Sequence, residues 1–146
     1  MSKVCKATAR NARSEFELME CLLSFLGSQG YRVRVEVPNL CQSADIVATR
    51  GRWVTFIEAK VRDWRRALAQ CEAHVHVADY ICIAIGTHKP RDSSIRLATD
   101  RGYGVIGFDS GGNACRWLME PRLNRDLWLP ERRRWARNLR EIQHVG

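Results

Sequence analysis

Apolar residues along this chain recur with two different periods, and the switches between the periods outline its elements. Over residues 14–28, Phe16, Met19, Leu22, Leu23 and Leu26 return at helical spacing, with Ser14 ahead of them as an N-cap and Gly27 and Gly30 as stops, which predicts an amphipathic helix. Residues 31–37 (YRVRVEV) alternate apolar and charged. This is the pattern of a half-exposed strand with Arg32, Arg34 and Glu36 on its solvated face, closed by Pro38 ahead of a loop at 39–43. Two runs rich in Val, Ile, Thr, Phe and Trp follow at 44–49 and 53–61, separated by Arg50-Gly51-Arg52. They predict a β-hairpin, which the preceding strand should join. Residues 63–78 resume the helical period, with Asp63 as cap and a stripe of Trp64, Ala67, Leu68, Cys71, Val75 and Ala78.

The run YICIAI at 80–85 is continuously apolar, as in a strand covered on both faces. A helix between it and the hairpin implies a crossover to a parallel neighbour. A short helix over 93–101, a strand over 104–108, a connection through Asp109-Ser110-Gly111-Gly112-Asn113 and a strand over 114–119 complete the body. The expected order is αβββαβαββ followed by a basic tail: an α/β fold with a central mixed β-sheet flanked by helices.

A chain of 146 residues with 45% apolar content is the size of one domain with one core. We expect a body at 1–120 and a basic helical tail at 121–146, packed on the body or extending from it. No apolar run approaches the roughly 18 residues of a membrane span, and the amino terminus lacks the apolar centre of a signal peptide. The expected location is cytoplasmic, with no membrane partner. Six cysteines are scattered without a C-x-x-C pair, which argues against a zinc module or a disulfide framework and for small buried hydrophobes. A net charge of +8 favours a polyanionic partner, nucleic acid before an acidic membrane. In the tail, Arg132, Arg133, Arg134, Arg137 and Arg140 join Trp135 and Leu139 in a helix beginning near Pro130. Such arginines form either a solvated face or a set of phosphate contacts.

The candidate chemistry lies in the hairpin. With side chains alternating along a strand, Val54, Phe56, Glu58 and Lys60 share one face, and Asp45, Val47 and Thr49 share one face of the partner strand. Pairing brings Asp45 beside Glu58 and Lys60. Two carboxylates and an ammonium at the end of an apolar sheet are costly to bury unless they hold a hard cation or neutralise one another. On the first helix Glu15 projects into the apolar stripe, which suits either a first-turn acid favoured by the helix dipole or a site residue; Glu20, at the stripe's edge, is its substitute. On the helix after the hairpin, Gln70 and His74 lie one turn apart on the flank of the stripe, close enough to the core to need a polar partner. The four histidines are taken as surface or satisfied core residues, and none is given a catalytic role.

Asp45 followed after a short hairpin by Glu58-Ala59-Lys60 resembles the core motif of the PD-(D/E)XK nuclease superfamily, with Ala44 standing where the motif has proline. The likeness covers residues from about 14 to 108 and includes an αβββαβ core. It implies a restriction-endonuclease-like fold and a Mg²⁺-dependent endonuclease, with Mn²⁺ as a substitute ion, acting on nucleic acid, DNA before RNA. Catalysis would fall to Asp45, Glu58, Lys60, Glu15 and Gln70. The metal would be held by Asp45, Glu58 and the backbone carbonyl of Ala59. Gln70 would match the glutamine that resolvase-like and RecB-like nucleases carry on the helix after the E-x-K strand. A homodimer is compatible with this reading. Two other classes remain: a DNA-binding module or subunit that keeps the fold without catalysis, and a structural ion-pair cluster in a protein–protein adaptor.

Overall fold

The structure, a computed structural model, describes residues 11–39, 42–108 and 114–143. Helix α1 (Glu15–Ser28) is followed by strands β1 (Arg32–Asn39), β2 (Gln42–Arg50) and β3 (Trp53–Lys60). Helix α2 (Trp64–Cys71) and a 3-10 turn (Glu72–His74) lead to β4 (Tyr80–Ile85). Helix α3 (Asp92–Asp100), strands β5 (Gly104–Phe108) and β6 (Cys115–Met119), and helix α4 (Leu129–Gln143) complete the order. The six strands form one sheet in chain order, β1-β2-β3-β4-β5-β6. It is mixed: β1–β2, β2–β3 and β5–β6 are antiparallel, while β3–β4 and β4–β5 are parallel. A mixed α/β sheet flanked by helices is thus the architecture expected from the periodicity.

The two sheet faces bury different sets of residues. On one, Val47, Val54, Phe56, Ile81, Ile83 and Val105 pack with Trp64, Leu68 and Cys71 of α2, Ala98 of α3 and Trp135 of α4. On the other, Ile46, Ala48, Ile57, Ala59, Cys82 and Ala84 meet Leu18, Leu22 and Leu26 of α1. Strands β3 and β4 are buried on both faces; β4 (YICIAI) is accordingly a continuous apolar run, whereas β3 (WVTFIEAK) carries buried Thr55 and Glu58 among its apolar residues. β1 is an edge strand, which is why it accommodates Pro38 inside its ladder, opposite Ser43.

Several expectations are corrected. The buried stripe of α1 is Leu18, Leu22 and Leu26, whereas Phe16 is 72% exposed and Leu23 also faces outward. The hairpin β1–β2 is tighter than the 39–43 loop predicted from Pro38: Asn39 pairs with Gln42. Helix α2 stops at Cys71, although Asp63 caps it as expected by accepting from the Arg66 N–H at 3.1 Å. The chain then tightens into the 3-10 turn, whose His74 carbonyl accepts from both Val77 and Ala78. The connection at 109–113 lies outside the described residues.

Helix α4 is a packed element. Trp135 packs against Phe56 at 5.3 Å between ring centroids, with the ring planes tilted by 55°. Arg132 donates to the Val77 carbonyl at 2.5 Å and to the Asp79 carboxylate at 3.1 Å. Asp79 in turn accepts from the Val54 N–H of β3 at 2.8 Å. Arg132 is therefore a structural tie, and the exposed arginines of the helix are Arg133, Arg134, Arg137 and Arg140. Among the described residues no helix is long and apolar enough to cross a membrane. Cys71, Cys82 and Cys115 are free and buried, as small hydrophobes.

Trp135→Ala should lower unfolding stability by about 3–5 kcal/mol through the cavity left beside Phe56. Exposed Arg134→Ala should stay within about 0.5 kcal/mol. Denaturant midpoints measure both, and similar small shifts would mean that α4 does not belong to the core.

Candidate metal and phosphodiester site

The β2–β3 ladder ends where the site begins. Its last pair toward this end is Ile46 with Ile57, and the next position, Asp45 opposite Glu58, is not part of the ladder. Asp45 instead uses its side chain: Oδ2 accepts the Ala59 N–H at 2.9 Å. A carboxylate thus satisfies a backbone donor that the departing strand leaves behind. On the other side of β2, the β1 ladder omits Glu36 opposite Asp45, and Glu36 has φ of 51°. A non-glycine residue in that region is strained by of order 1–3 kcal/mol, and such residues cluster at functional sites. The irregularity on both sides of Asp45 is what frees it from the regular sheet.

Glu58 lies beside it, on the α2 face, and is only 1% exposed. Its Oε1 sits 2.6 Å from Nε2 of His74, which is wholly buried. Nδ1 of His74 is 2.9 Å from Nδ2 of Asn39, and the same Asn39 nitrogen donates to the Ala73 carbonyl at 2.9 Å. A carbonyl only accepts, so the atom facing it is the amide nitrogen, and its second hydrogen points at His74 Nδ1. Nδ1 must then accept, which places the ring proton on Nε2, donating to Glu58. The chain Asn39–His74–Glu58 fixes one carboxylate orientation through two elements distant in sequence.

Burial, and then the adjoining Asp45 carboxylate, push Glu58 up to about 9, while the Asp45 backbone N–H and Lys60 act weakly the other way. Burial holds His74 down to about 4. Glu58 therefore keeps its proton at neutral pH, chiefly because burial disfavours its charge and secondly because the Asp45 carboxylate adjoins it.

Lys60, the last residue of β3, turns toward the opposite helix and donates to Glu15 Oε1 at 3.4 Å. The lysine is 17% and the glutamate 63% exposed. This contact follows from a backbone tie: Gly86 N–H donates to the Lys60 carbonyl at 3.0 Å, and Ala12 N–H to the Gly86 carbonyl at 2.7 Å. A Cβ at position 86 would stand 2.9 Å from that of Ala12, so glycine permits the entry to α1 to run close over β4 and β3. Lys60 pairs with Glu15 rather than with Asp45 or Glu58. Glu20 is exposed, and Glu15 is the α1 acid that meets the lysine. Gln70 is half-buried on α2, one turn before His74, and its Oε1 is enclosed without a hydrogen-bond partner.

The structure thus brings together Asp45, Glu58 and Ala59, adds His74 and Asn39 behind Glu58, and pairs Lys60 with Glu15 on the α1 side. Asn39 falls in the stretch that sequence pattern assigns to a loop, and nothing there marks it. For His74 the available signal is its polar character on the flank of an apolar stripe, which demands a partner. Among the described residues no group of three or more His, Cys, Asp or Glu side chains is arranged to hold a metal. In donor type, the carboxylates of Asp45 and Glu58 and a backbone carbonyl are all oxygen, the chemistry that suits a partly hydrated Mg²⁺. The proximity of Asp45 to buried Glu58 also fits a cation.

No protein family matches the chain, and no curated protein is similar to it in sequence. Two solved structures share its fold. The SPO1766 protein of unknown function from Silicibacter pomeroyi superposes with a TM-score of 0.64 at 14% identity, over 92% of each chain. The AF1548 protein of unknown function gives 0.50 at 19% identity, over 62% of this chain and 57% of the other. At such identities the likeness concerns the fold alone.

The shifts of Glu58 and His74 have opposite consequences for stability. A carboxyl that ionises near 4.5 when unfolded but near 9 when folded stabilises the fold at low pH, and its contribution falls as pH rises across that window. His74, 6.5 unfolded and about 4 folded, adds stability as pH rises through its lower window. From pH 6.5 to 9 only the first of the two operates. The melting temperature in EDTA should therefore fall over this range, and Glu58→Gln should flatten the slope. Parallel slopes for the two proteins would show that Glu58 is already ionised in the fold.

Proposed function

We propose that this chain is a metal-dependent nuclease of the PD-(D/E)XK type, with a restriction-endonuclease-like fold, hydrolysing phosphodiester bonds in DNA. The observation that carries the reading is the position of Asp45. Where β2 leaves β3, its carboxylate is held against the Ala59 N–H and beside buried Glu58, with Lys60 one turn of the pleat further on. Asp45, Glu58 and the Ala59 carbonyl would hold Mg²⁺ or Mn²⁺. When bound, such an ion neutralises phosphodiester charge and lowers the pKa of a coordinated water.

The chain's own residues supply the rest. Asn39 and His74 orient Glu58 from behind, so that its outer oxygen faces Asp45. Lys60 is a compact point charge at the mouth of the site; it orients the attacking water or meets the negative charge that develops on the phosphorus oxygens. Glu15 positions that ammonium from α1. Gln70 supports the site from α2 through an oxygen that has no protein partner. The exposed arginines of α4 provide phosphate contacts: Trp135 of that helix packs on Phe56, whose ring also meets His74 at 4.8 Å, so the basic helix and the site share one core residue.

Asp45→Asn, Glu58→Gln and Lys60→Ala should each lower cleavage by about 100-fold or more in Mg²⁺. The assay is a panel of labelled duplex, single-stranded and branched DNA and RNA. Near-full activity in any folded one of the three would sink the site. If the wild type binds but cleaves nothing in Mg²⁺ or Mn²⁺, the chain is a binding module. His74→Ala and Gln70→Ala should impair cleavage more than nucleic-acid binding.

Replacing Arg133, Arg137 and Arg140 by alanine should weaken binding without regard to sequence. The slope of log K against log salt should become shallower by roughly 0.7 to 0.9 for each phosphate that is no longer neutralised. Substitution is the right probe here, since truncation would remove Trp135 from the core. Unchanged slopes would assign these arginines to a solvated face.

A further inference from the structure

At the end of the sheet remote from Asp45 and Glu58, a pocket of about 350 Å³ opens on the α1 face. Helix α1 ends at Ser28, and the chain turns through Gly30 (φ 83°) into β1, so the helix does not cover this end of the strands. What fills the corner is aromatic. Tyr31, Trp53, Tyr80 and Trp117 line it, with Gln29, Arg50, Thr55, Glu120 and Pro121. Two of the five tryptophans and two of the three tyrosines of the chain thus meet at one site, and they are not sealed: Trp53 is 37% exposed and the other three are partly exposed.

Their arrangement leaves binding groups available. Trp53 and Tyr80 meet edge to face at 5.9 Å. Trp117 Nε1 donates to Gln29 Oε1 at 2.8 Å, which occupies the amide oxygen of Gln29 and turns its amide nitrogen into an uncommitted donor. The hairpin tip adds charge. Gly51, with φ of 60°, makes the tight turn between Arg50 and Arg52. Arg50 stacks 4.4 Å from the Tyr31 ring centre and Arg52 4.3 Å from that of Trp53. Two arginines against one glutamate disfavour a cationic guest, which four aromatics alone would suit. They favour a flat, aromatic ligand that carries negative charge.

We propose that this pocket stacks a nucleobase of a single-stranded nucleic-acid segment on the face of Trp53 that Arg52 does not cover, with Tyr80 flanking it at an angle, Gln29 donating to the base edge and Arg50 and Arg52 meeting the flanking phosphates. Aromatic platforms beside a basic rim are the general means of holding single strands without sequence preference. Trp53 and Glu58 are five residues apart on β3, or about 16 Å along the strand, so the pocket grips its strand away from the site of chemistry. The inference rests on the nuclease reading only for the choice of a nucleic acid as polymer.

The test is binding in EDTA, where no metal-dependent step contributes. The probes are a short oligodeoxythymidylate, an abasic oligonucleotide of the same length and deoxythymidine monophosphate. The wild type should bind oligodeoxythymidylate more tightly than the abasic strand, with quenching of tryptophan fluorescence. Trp53→Ala should weaken oligodeoxythymidylate binding roughly 5- to 150-fold and leave abasic binding unchanged; Tyr80→Ala should do the same, and Trp53→Phe should restore most of the affinity. Equal binding of the thymidylate and abasic strands by wild type, or equal affinity of wild type and Trp53→Ala, overturns the proposal. Monophosphate binding as tight as that of the oligonucleotide overturns the strand and leaves a mononucleotide site. Base-dependent, Trp53-dependent binding by a wild type that cleaves nothing would defeat the nuclease reading and keep the pocket. Cleavage without base-dependent binding would do the reverse.

Discussion

An acidic side chain buried in an otherwise apolar sheet sets the terms for much of this fold. Glu58 has Val54 and Phe56 before it on its own strand face and Ile83 opposite it across the parallel ladder. Water is excluded, so every polar atom it presents must be met by protein or by a bound ion. The elements that meet it are arranged accordingly. β2 leaves the ladder so that Asp45 can turn inward, β1 carries a left-handed Glu36 opposite the same position, and α2 tightens into a 3-10 turn that swings His74 under the carboxyl. Asn39, at the end of the edge strand, closes the chain by fixing which nitrogen of His74 bears the proton. Three departures from regular secondary structure thus converge on one residue, an arrangement that costs stability unless the buried group has work to do.

The same geometry divides the molecule's two faces by role. The α2 face buries Glu58 and its partners, and α4 is fastened there by Trp135 against Phe56 and by Arg132 on Asp79. That fastening turns a run of five arginines into one structural tie and a row of exposed cations. The α1 face is thinner: the helix covers the middle of the sheet with Leu18, Leu22 and Leu26, sends Glu15 over one end to Lys60, and stops short of the other. Where it stops, the gap is lined by aromatic rings rather than filled by aliphatic ones. Lys60 and Trp53 stand at opposite ends of one strand, so β3 joins the two polar regions through a rigid, paired segment.

How much of this is legible in the sequence depends on the range of the interaction involved. Period-2 and period-3.6 patterns are local, and with cap and turn residues they determine the order of elements, the parallel crossover to β4 and the shared face that brings Asp45 to Glu58. Local pattern misleads where burial on one helix face has to be chosen among near-equal apolar positions. In α1, Phe16 and Leu23 are as apolar as Leu18, and only the path of the chain past Gly86 decides which side meets the sheet.

The remaining choices belong to tertiary structure alone. His74 is 16 residues from Glu58 and 35 from Asn39, and no periodicity relates them; their contact exists because β1, β3 and the end of α2 converge in space. Likewise Arg132 is indistinguishable in sequence from Arg133 and Arg134, yet it alone of the three reaches Asp79 and Val77, 53 and 55 residues away. The sequence by itself determined an α/β chain with two carboxylates and a lysine on paired strands. Which oxygen of Glu58 is held, which acid meets Lys60 and where the aromatic residues gather were decided by packing, since each depends on desolvation and on contacts between residues that only the folded chain makes neighbours.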